Sequence, residues 1–348
     1  MPSNKQNTIL FLFRELAGYF VTCVEALGAS KSTNVEVVYW PVNAQAPLAM
    51  KTIAGVKWIA KEDWRLSEAI QKDRAGEYSC VIVSGWGDLD YNAFVKAKGQ
   101  SKKVLAFDTQ WSNALRVMLG SQWIRWTLRK FYDGAWVPGA RQAKLAVAMG
   151  FNKSEIDLGF YVADVKGIGS EASRKGNQEF KIGFVSRFVK EKGFPDVINQ
   201  MISLLDTHKN WQVHLFGTGP LQDQMPKHSQ IFYHGFSQPE TLKKVWGEWD
   251  VFVLASGYEP WGVVVHEAAG AGLPIIATQA VGAADVFVES GLNGWIVPIG
   301  DYQSINQSIL KLSQMTTEER ERMRLISFEK SKLLNIEQWC GTVKKWMI

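Results

Sequence analysis

The chain has few of the residues that build covalent or metal cross-links. Its 348 residues include only three cysteines, Cys23, Cys80 and Cys340, and no two of them form a Cys-x-x-Cys pair. A disulfide framework or a zinc site would need more thiols at closer spacing. We therefore expect three free cysteines that are buried as small apolar side chains.

Long apolar runs are also missing. The first run, Ile9 to Phe13, is far shorter than the roughly 20 residues of a membrane-spanning helix, and no small-residue cleavage site follows it. Hydrophobic residues make up 46% of the chain and charged residues 21%, so we expect a globular protein of the cytoplasm. Its length suggests about two domains.

Positive charge is concentrated in one stretch. Residues 96–153 hold eleven Lys or Arg and only two acids, Asp108 and Asp133, whereas the rest of the chain has 28 basic and 32 acidic residues. Such a surface attracts an anionic partner. No zinc-finger spacing, RNA-binding motif or basic low-complexity arm is present, which disfavours nucleic acid. An anionic phospholipid or a lipid diphosphate at the inner membrane face fits this stretch better.

Residues 113–131 within this stretch read as a helix. Its apolar positions cover most of the circumference and are interleaved with Arg116, Arg125, Arg129 and Lys130. Two interpretations remain open. Either the helix is largely buried in its domain, or part of its apolar surface meets a bilayer while the arginines touch headgroups.

Residues 250–277 are the most informative stretch. They read as a buried strand, a loop, a helix from Val263 and a second strand. A helix that starts after the carboxyl end of a strand suits an anion, and Gly262 has no side chain to keep a ligand away. The carboxylates of Glu259 and Glu267 accept hydrogen bonds from hydroxyls. The stretch therefore predicts a site for an anion with hydroxyl-rich groups, such as a ribose and a sugar.

The same stretch resembles a known family. Glu-Pro-Trp-Gly at 259–262, followed by three Val, and Glu-Ala-Ala-Gly-Ala-Gly-Leu-Pro at 267–274 are similar to the signature of the retaining GT-B glycosyltransferases of family four, also called glycosyl transferases group 1. Ser-Arg followed by Glu-Lys-Gly at 186–193 and Gly-Thr-Gly-Pro at 217–220 resemble further motifs of this family. The resemblance covers residues 180–315 in detail and residues 1–165 in outline.

The resemblance implies an α/β protein of the GT-B fold, with two Rossmann-like domains facing across a cleft. We expect an acceptor-binding domain at 1–165, a linker at 166–179 and a nucleotide-sugar-binding domain at 180–328. A C-terminal helix at 329–348 would cross back to the first domain.

The resemblance also implies an activity. The chain would be a retaining, metal-independent glycosyltransferase that moves a sugar, of hexosyl type, from a nucleotide-diphosphate sugar to a saccharide hydroxyl. UDP is preferred over GDP as the nucleotide, and no cofactor is needed. A lipid-linked acceptor in bacterial surface-polysaccharide assembly, of the lipopolysaccharide or capsule type, is expected from the basic first domain and from 15 tryptophans that offer faces to sugar rings.

Site residues follow from the matched motifs. Arg187 and Lys192 would stabilise the leaving diphosphate, Glu259 would hold donor-sugar hydroxyls, and Glu267 would hold the ribose. The remaining expected donor contacts are Gly18, Gly217, Phe236, Trp261, Gly262, Val263 and Val264. Gly18 stands where the family often has two glycines, and a plain helix with one glycine is its alternative.

Three acids after earlier strands leave alternatives open. Asp108 stands where many relatives have a histidine; it either accepts a hydrogen bond from the acceptor hydroxyl, as a hydrogen-bond acceptor or base, or caps the next helix. Asp88 and Asp90 form an Asp-x-Asp pair of the kind that binds a metal in GT-A enzymes. Because that interpretation leaves the Glu-x7-Glu helix unexplained, a role in the cleft for Trp86 and Asp88 is favoured.

Two rival classes share some of these features. A GT-B-like sugar-nucleotide epimerase would use the same nucleotide site without an acceptor, and a noncatalytic saccharide-binding protein would use the tryptophans alone.

Overall fold

A computed structural model describes residues 7–30, 33–41, 53–112, 114–168 and 179–347 of the protein. The chain forms two compact units, one of residues Met1–Val162 with Ile336–Ile348 and one of residues Ala163–Asn335. Each unit is a parallel sheet with helices. We call them unit 1 and unit 2.

Unit 1 is built on a seven-stranded parallel sheet. Its strands are β1 (Asn7–Leu12), β2 (Thr33–Tyr39), β3 (Val56–Ala60), β4 (Tyr78–Ser84), β5 (Lys102–Ala106), β6 (Gly134–Val137) and β7 (Ile156–Leu158). They are arranged in the order β3-β2-β1-β4-β5-β6-β7. Its helices are α1 (Gly18–Gly28), α2 (Leu66–Arg74), α3 (Leu89–Lys96), α4 (Leu115–Thr127), α5 (Ala140–Ala148) and α12 (Ile336–Trp346).

The core of unit 1 forms because its central strands are continuous apolar runs. Ile9 to Leu12 in β1 and Cys80 to Val83 in β4 are completely buried, as expected for parallel strands that are covered on both faces. Helix α12 closes this core from the end of the chain. The Trp339 ring lies 5.0 Å from the Trp136 ring, and its Nε1 donates a hydrogen bond to the Phe160 carbonyl at 3.0 Å.

Unit 2 is built on a six-stranded parallel sheet. Its strands are β8 (Phe180–Val185), β9 (Trp211–Phe216), β10 (Ile231–Gly235), β11 (Val251–Leu254), β12 (Ile275–Thr278) and β13 (Gly294–Val297). They are arranged in the order β10-β9-β8-β11-β12-β13, which is the Rossmann order 3-2-1-4-5-6. Its helices are α6 (Asp196–Thr207), α7 (Pro239–Val245), α8 (Val263–Gly270), α9 (Ala284–Phe287), α10 (Tyr302–Ser313) and α11 (Thr317–Ser331).

Helix α11 extends unit 2 beyond the expected domain end at residue 328. The buried imidazole of His266 on α8 accepts a hydrogen bond from the Ala163 N–H at 3.1 Å and donates one to the Ser331 carbonyl at 2.8 Å. Ser327 donates a hydrogen bond to the Leu273 carbonyl at 2.7 Å. These hydrogen bonds join the first residue of unit 2 and the end of α11 to α8 and to the loop that follows α8. Of the expected linker, residues 169–178 lie outside the described residues.

Helix α4 is shorter than the predicted helix at 113–131. It runs from Leu115 to Thr127, a 3-10 turn follows at Arg129–Phe131, and Asn113 is outside the described residues. Only Ser121 and Ile124 of α4 are buried. The interpretation of a largely buried helix is therefore wrong.

Two sequence expectations concern thiols and membranes. All three cysteines are free, and Cys23 and Cys80 are buried while Cys340 is partly exposed. Among the helices of the described ranges, none is both long enough and apolar enough to traverse a bilayer.

We expect His266→Ala to lower the free energy of unfolding of unit 2 by about 3 kcal/mol at pH 8, because it leaves a buried N–H and a buried carbonyl without partners. Burial lowers the pKa of His266 to about 4, so the folded unit holds the neutral ring. The free energy of unfolding of the native protein therefore exceeds that of the variant by the full amount above about pH 6.5. This difference declines as the pH falls towards 4.

Urea unfolding of native protein and variant at pH 8 and pH 5 measures this difference. His234→Ala, at an exposed strand position, is the matched control and should change the free energy of unfolding by less than about 1 kcal/mol. A His266→Ala penalty that stays constant between the two pH values would contradict the expected role of the neutral ring.

Candidate functional site

The sheet of unit 2 reverses its strand order between β8 and β11. Along the chain, β8 is followed by β9 on one side and later by β11 on the other. In open parallel sheets, ligands bind outside the carboxyl ends of the two strands at such a reversal. Arg187 and Lys192 follow β8, and Glu259 and Gly262 follow β11. The sequence motifs of both segments therefore lie at the expected edge of the sheet.

The side chains of Lys192 and Glu259 form an ion pair across this reversal. Each side chain is only 15% exposed, so the pair is screened less by water than a surface pair is. The residues are far apart in sequence, and each comes from one of the two segments that the motifs identified. The pair therefore places a cation and a carboxylate side by side at one point of the sheet edge.

Backbone hydrogen bonds fix the same two loops. The Glu191 carbonyl accepts hydrogen bonds from the N–H groups of Gly257 at 2.8 Å and Tyr258 at 3.3 Å. Gly193 has a φ of +81°, and a side chain there would lie 2.6 Å from the Ala255 carbonyl oxygen. The loop after β8 thus lies directly against the loop after β11, which brings Lys192 to Glu259.

Gly262 precedes helix α8 as its N-cap and has a left-handed conformation. Its φ is +91°, and an added Cβ would lie 3.0 Å from Cγ of Glu259. The first N–H groups of a helix have no partner within the helix, and here they belong to Val263 and Val264. The glycine therefore lets the chain enter α8 beside the Glu259 side chain. That position suits the anion that the sequence predicts.

Trp261 anchors the loop in front of α8. Its side chain is buried, and its carbonyl accepts a hydrogen bond from the Ala283 N–H at 2.9 Å. The Glu259 carbonyl accepts another from the Gly282 N–H at 3.2 Å. A side chain at Gly282 would lie 2.2 Å from the Pro260 carbonyl oxygen. Trp261 therefore holds in place the loop that carries Glu259.

Glu267 lies further along α8 in a partly buried position. Burial raises the pKa of its carboxyl to about 7, and the nearby Lys243 ammonium opposes this shift. Lys243 on α7 also forms an ion pair with Asp164 at 2.6 Å. Neither Lys243 nor Asp164 was expected from the sequence, because no motif covers them and they are 79 positions apart.

The other expected donor residues of unit 2 lie along the same edge of the sheet. Arg187 is exposed and follows β8, Gly217 follows β9, and the exposed Phe236 follows β10. Gly217 has a φ of +140°, and a side chain there would lie 1.9 Å from the Ser186 carbonyl oxygen. Among the described site residues, an ion pair joins Lys192 and Glu259, and no ion pair or hydrogen bond is shown between Arg187 and either of them.

Two expected residues lie in unit 1. Gly18 is the first residue of α1, just after β1. Asp108 follows β5 and hydrogen-bonds the hydroxyl of Tyr161, whose pKa is raised by burial and by this carboxylate. The Tyr161 ring lies 5.1 Å from the Tyr19 ring. Asp108 does not cap the next helix, because the N-cap of α4 is Ala114. Tyr19 and Tyr161 were not expected from the sequence.

The Asp-x-Asp pair has structural partners. Asp88 caps α3 by accepting a hydrogen bond from the Tyr91 N–H at 2.9 Å, and it accepts a second from Trp40 Nε1 at 2.9 Å. Asp90 forms an ion pair with Lys61. The two carboxylates therefore have separate partners. Within the described part of the chain, no three His, Cys, Asp or Glu side chains are placed to hold a metal ion.

Most of unit 2 is similar to a known family. Residues 168–328 match the model of the family "Glycosyl transferases group 1". An uncharacterized glycosyltransferase of Methanocaldococcus jannaschii is 32% identical over 130 residues, which are 35% of this chain and 33% of that protein. The capsular polysaccharide biosynthesis glycosyltransferase CapM of Staphylococcus aureus is 27% identical over 180 residues, which are 50% of this chain and 47% of that protein. The chain thus spans a third to a half of the length of these relatives.

Solved structures match nearly the whole chain. HepE of Anabaena in complex with UDP has a TM-score of 0.75 at 17% identity and covers 97% of this chain and 98% of its own. An E. coli structure titled as trehalose-6-phosphate bound with UDP-2-fluoro glucose has a TM-score of 0.72 at 13% identity and covers 98% and 99%. The fold is α/β of the GT-B type, with two Rossmann-like domains.

We expect Glu267→Gln to raise the free energy of unfolding of unit 2 at pH 8.5 by about 1–2 kcal/mol, discounted for partial exposure. The pKa of Glu267 in the folded unit, about 7, lies above the ordinary value of 4.5. The free energy of unfolding of the native protein is therefore undiminished by this group below pH 4.5 and declines as the pH rises through 7. Glutamine does not ionise, so the variant does not lose this free energy.

Urea unfolding at pH 4.5 and pH 8.5 measures the effect, which should vanish at the lower pH. The exposed Glu318→Gln is the control and should change the free energy by less than about 0.5 kcal/mol at either pH. Equal stability of Glu267→Gln and native protein at pH 8.5 would mean that the carboxyl is not held in its protonated form.

Proposed function

We propose that this chain transfers a sugar from a nucleotide-diphosphate sugar to a hydroxyl of a saccharide acceptor, because residues 168–328 match the model of the glycosyl transferases group 1. The transfer retains the anomeric configuration and needs no metal ion. The observation that carries the proposal is the ion pair of Lys192 and Glu259 beside the start of α8, at the strand reversal of unit 2.

The diphosphate is held by cations and helix amides in this proposal. Lys192 lies at the strand reversal, and the exposed Arg187 follows the same strand. A guanidinium and an ammonium stabilise the charge that develops on a leaving diphosphate. The N–H groups of Val263 and Val264 add the positive end of α8. A metal ion is unnecessary because these groups already supply positive charge.

The two glutamates hold hydroxyls on either side of the diphosphate. Glu259 keeps one oxygen on Lys192, and its remaining lone pairs accept hydrogen bonds from donor-sugar hydroxyls. Glu267 accepts from the ribose, and hydroxyl donors favour its ionised form over the protonated form that burial favours. Nucleotide binding therefore lowers the pKa of Glu267 towards its ordinary value.

Retention is what the resemblance to the family implies, and the lack of an assigned carboxylate nucleophile agrees with a front-face mechanism. In that mechanism the acceptor oxygen bonds to the anomeric carbon from the side of the leaving diphosphate, the bond to the diphosphate breaks, and the diphosphate takes the hydroxyl proton. Asp108 assists the acceptor as a hydrogen-bond acceptor. Its hydrogen bond to Tyr161 orients the carboxylate, as a positioning partner does for a catalytic group.

The donor nucleotide and the acceptor are proposed from the relatives and from charge. UDP is favoured because HepE was solved with UDP. CapM is named for capsular polysaccharide biosynthesis and LpsE of Rhizobium meliloti for lipopolysaccharide core biosynthesis. The basic stretch 96–153 favours an anionic, lipid-linked acceptor at a membrane surface. We expect Gly18 to contact the donor from unit 1.

We expect Lys192→Gln to lower the rate of sugar transfer by about 100-fold, because the variant loses the charge that stabilises the leaving diphosphate. The measurement is nucleotide release from a panel of UDP- and GDP-sugars, with and without saccharide acceptors. Lys190→Gln, two residues away and exposed, is the matched control and should retain at least about half of the native rate.

Nucleotide release, together with saccharide binding and thermal stability measured with each donor, separates the three classes. Nucleotide release that depends on acceptor supports transfer, whereas donor turnover at the same rate without acceptor indicates an epimerase or a hydrolase. Binding of saccharides with no effect of any donor on stability would indicate a noncatalytic saccharide-binding protein.

Retention and metal independence are tested together. We expect an α-linked donor to give an α-linked product in the proton NMR spectrum, and we expect an excess of EDTA to leave the rate unchanged, because the positive charge at the diphosphate comes from the protein. An inverted product would overturn the front-face mechanism. A rate that EDTA abolishes and Mg²⁺ or Mn²⁺ restores would overturn metal independence.

A further inference from the structure

Helix α4 presents large apolar side chains to solvent. Leu115 is 74% exposed, Leu119 69%, Trp123 51% and Trp126 77%. Soluble proteins rarely expose several large apolar side chains next to one another. Such a contiguous apolar patch marks an interaction site. These four residues are called the α4 face below.

The α4 face forms a single stripe. At about 100° per residue, its four members fall within an arc of about 80°. Ser121 and Ile124, the two buried residues of the helix, lie on the opposite side. The sequence pattern concealed this stripe because apolar residues occupy both sides of the helix, one side packing on unit 1 and the other facing solvent.

Arginines border the stripe on both sides. Both are exposed; Arg116 lies about 20° beyond one edge of the stripe and Arg125 about 80° beyond the other, with the exposed Met118 between Arg125 and the stripe. Among the described residues, none is shown in an ion pair with Arg116 or Arg125. Lys130 and Lys144 are likewise exposed in the same basic stretch. An apolar stripe with a cationic margin is the arrangement of helices that lie in the plane of a membrane surface.

Charge decides which occupant fits the α4 face. A second copy docking through a two-fold axis would bring two identical cationic margins together, which like charges oppose. An anionic bilayer offers phosphates to the arginines and an apolar layer to the leucines and tryptophans. Tryptophan in particular favours the boundary between headgroups and acyl chains.

We propose that the α4 face docks on an anionic lipid bilayer. The helix lies parallel to the membrane surface, with Leu115, Leu119, Trp123 and Trp126 inserted between the headgroups and Arg116 and Arg125 on lipid phosphates. This surface belongs to unit 1 and makes no use of the Lys192 and Glu259 site. Its test needs neither donor nor acceptor, so it is independent of the proposed transfer reaction.

The experiment is flotation of the full-length chain with vesicles of phosphatidylcholine containing 30% or no phosphatidylglycerol, in about 0.1 M salt. The native protein should float with the anionic vesicles and stay in solution with the neutral ones. The double variant Trp123→Ser with Trp126→Ser should lose about tenfold in partition coefficient. Because both side chains are exposed, its melting temperature should remain within about 2 °C of the native value.

Matched controls distinguish binding by α4 from nonspecific hydrophobic binding and from an effect of net charge alone. Leu325→Ser with Leu333→Ser removes two exposed apolar side chains from unit 2 and should not change flotation. Arg116→Glu with Arg125→Glu should lower the partition coefficient on anionic vesicles by about tenfold or more. Lys227→Glu with Arg322→Glu makes the same change in net charge in unit 2 and should reduce binding by less than about threefold.

Several outcomes would overturn the proposal. Native protein that does not float with anionic vesicles, or that floats equally with neutral ones, contradicts it. If the double variant of Trp123 and Trp126 and the double variant of Leu325 and Leu333 lose flotation equally, the α4 face is not the surface that binds. A native dimer in sedimentation velocity that becomes a monomer on Trp123→Ser with Trp126→Ser would assign the α4 face to a second copy of the chain.

Discussion

The site of unit 2 depends on one contact, the junction between the loop after β8 and the loop after β11. Backbone N–H groups of the second loop bond to the Glu191 carbonyl of the first, and the adjacent Lys192 pairs with Glu259. Parallel strands supply this junction because their carboxyl ends meet at the same edge of the sheet. The junction fixes the positions of a cation, a carboxylate and a helix start, and the proposed chemistry needs all three.

Burial sets the electrostatics of helix α8. The partly buried carboxyl of Glu267 and the buried imidazole of His266 are successive residues, and burial shifts each pKa in the direction that favours the neutral group. His266 uses that neutral form to hold two backbone groups together. Glu267 has only the opposing charge of Lys243, so the fold bears a cost at this position that a hydroxyl-rich ligand would reduce.

Unit 1 uses its aromatic and basic residues in two different ways. Trp136 and Trp339 fill the core, whereas Trp123 and Trp126 lie on the exposed face of α4. The same division holds for the cations. Lys103 is buried against Asp73 and Arg129 pairs with Glu155, but Arg116 and Arg125 remain at the surface. The composition of a stretch therefore gives its number of charged side chains. Packing determines which of them are exposed to a binding partner.

The sequence by itself determined the α/β class through its apolar runs, and the resemblance of its motifs to a known family predicted the GT-B type, because both are local signals. The anion site before α8 stays a prediction. Only the tertiary structure decided which distant groups meet, as in the pairs Lys192 with Glu259 and Lys243 with Asp164. It also made Asp88 a helix cap and gave α4 an exposed apolar face. The physical reason is that pairing and burial depend on neighbours far away in the chain, which no local pattern contains.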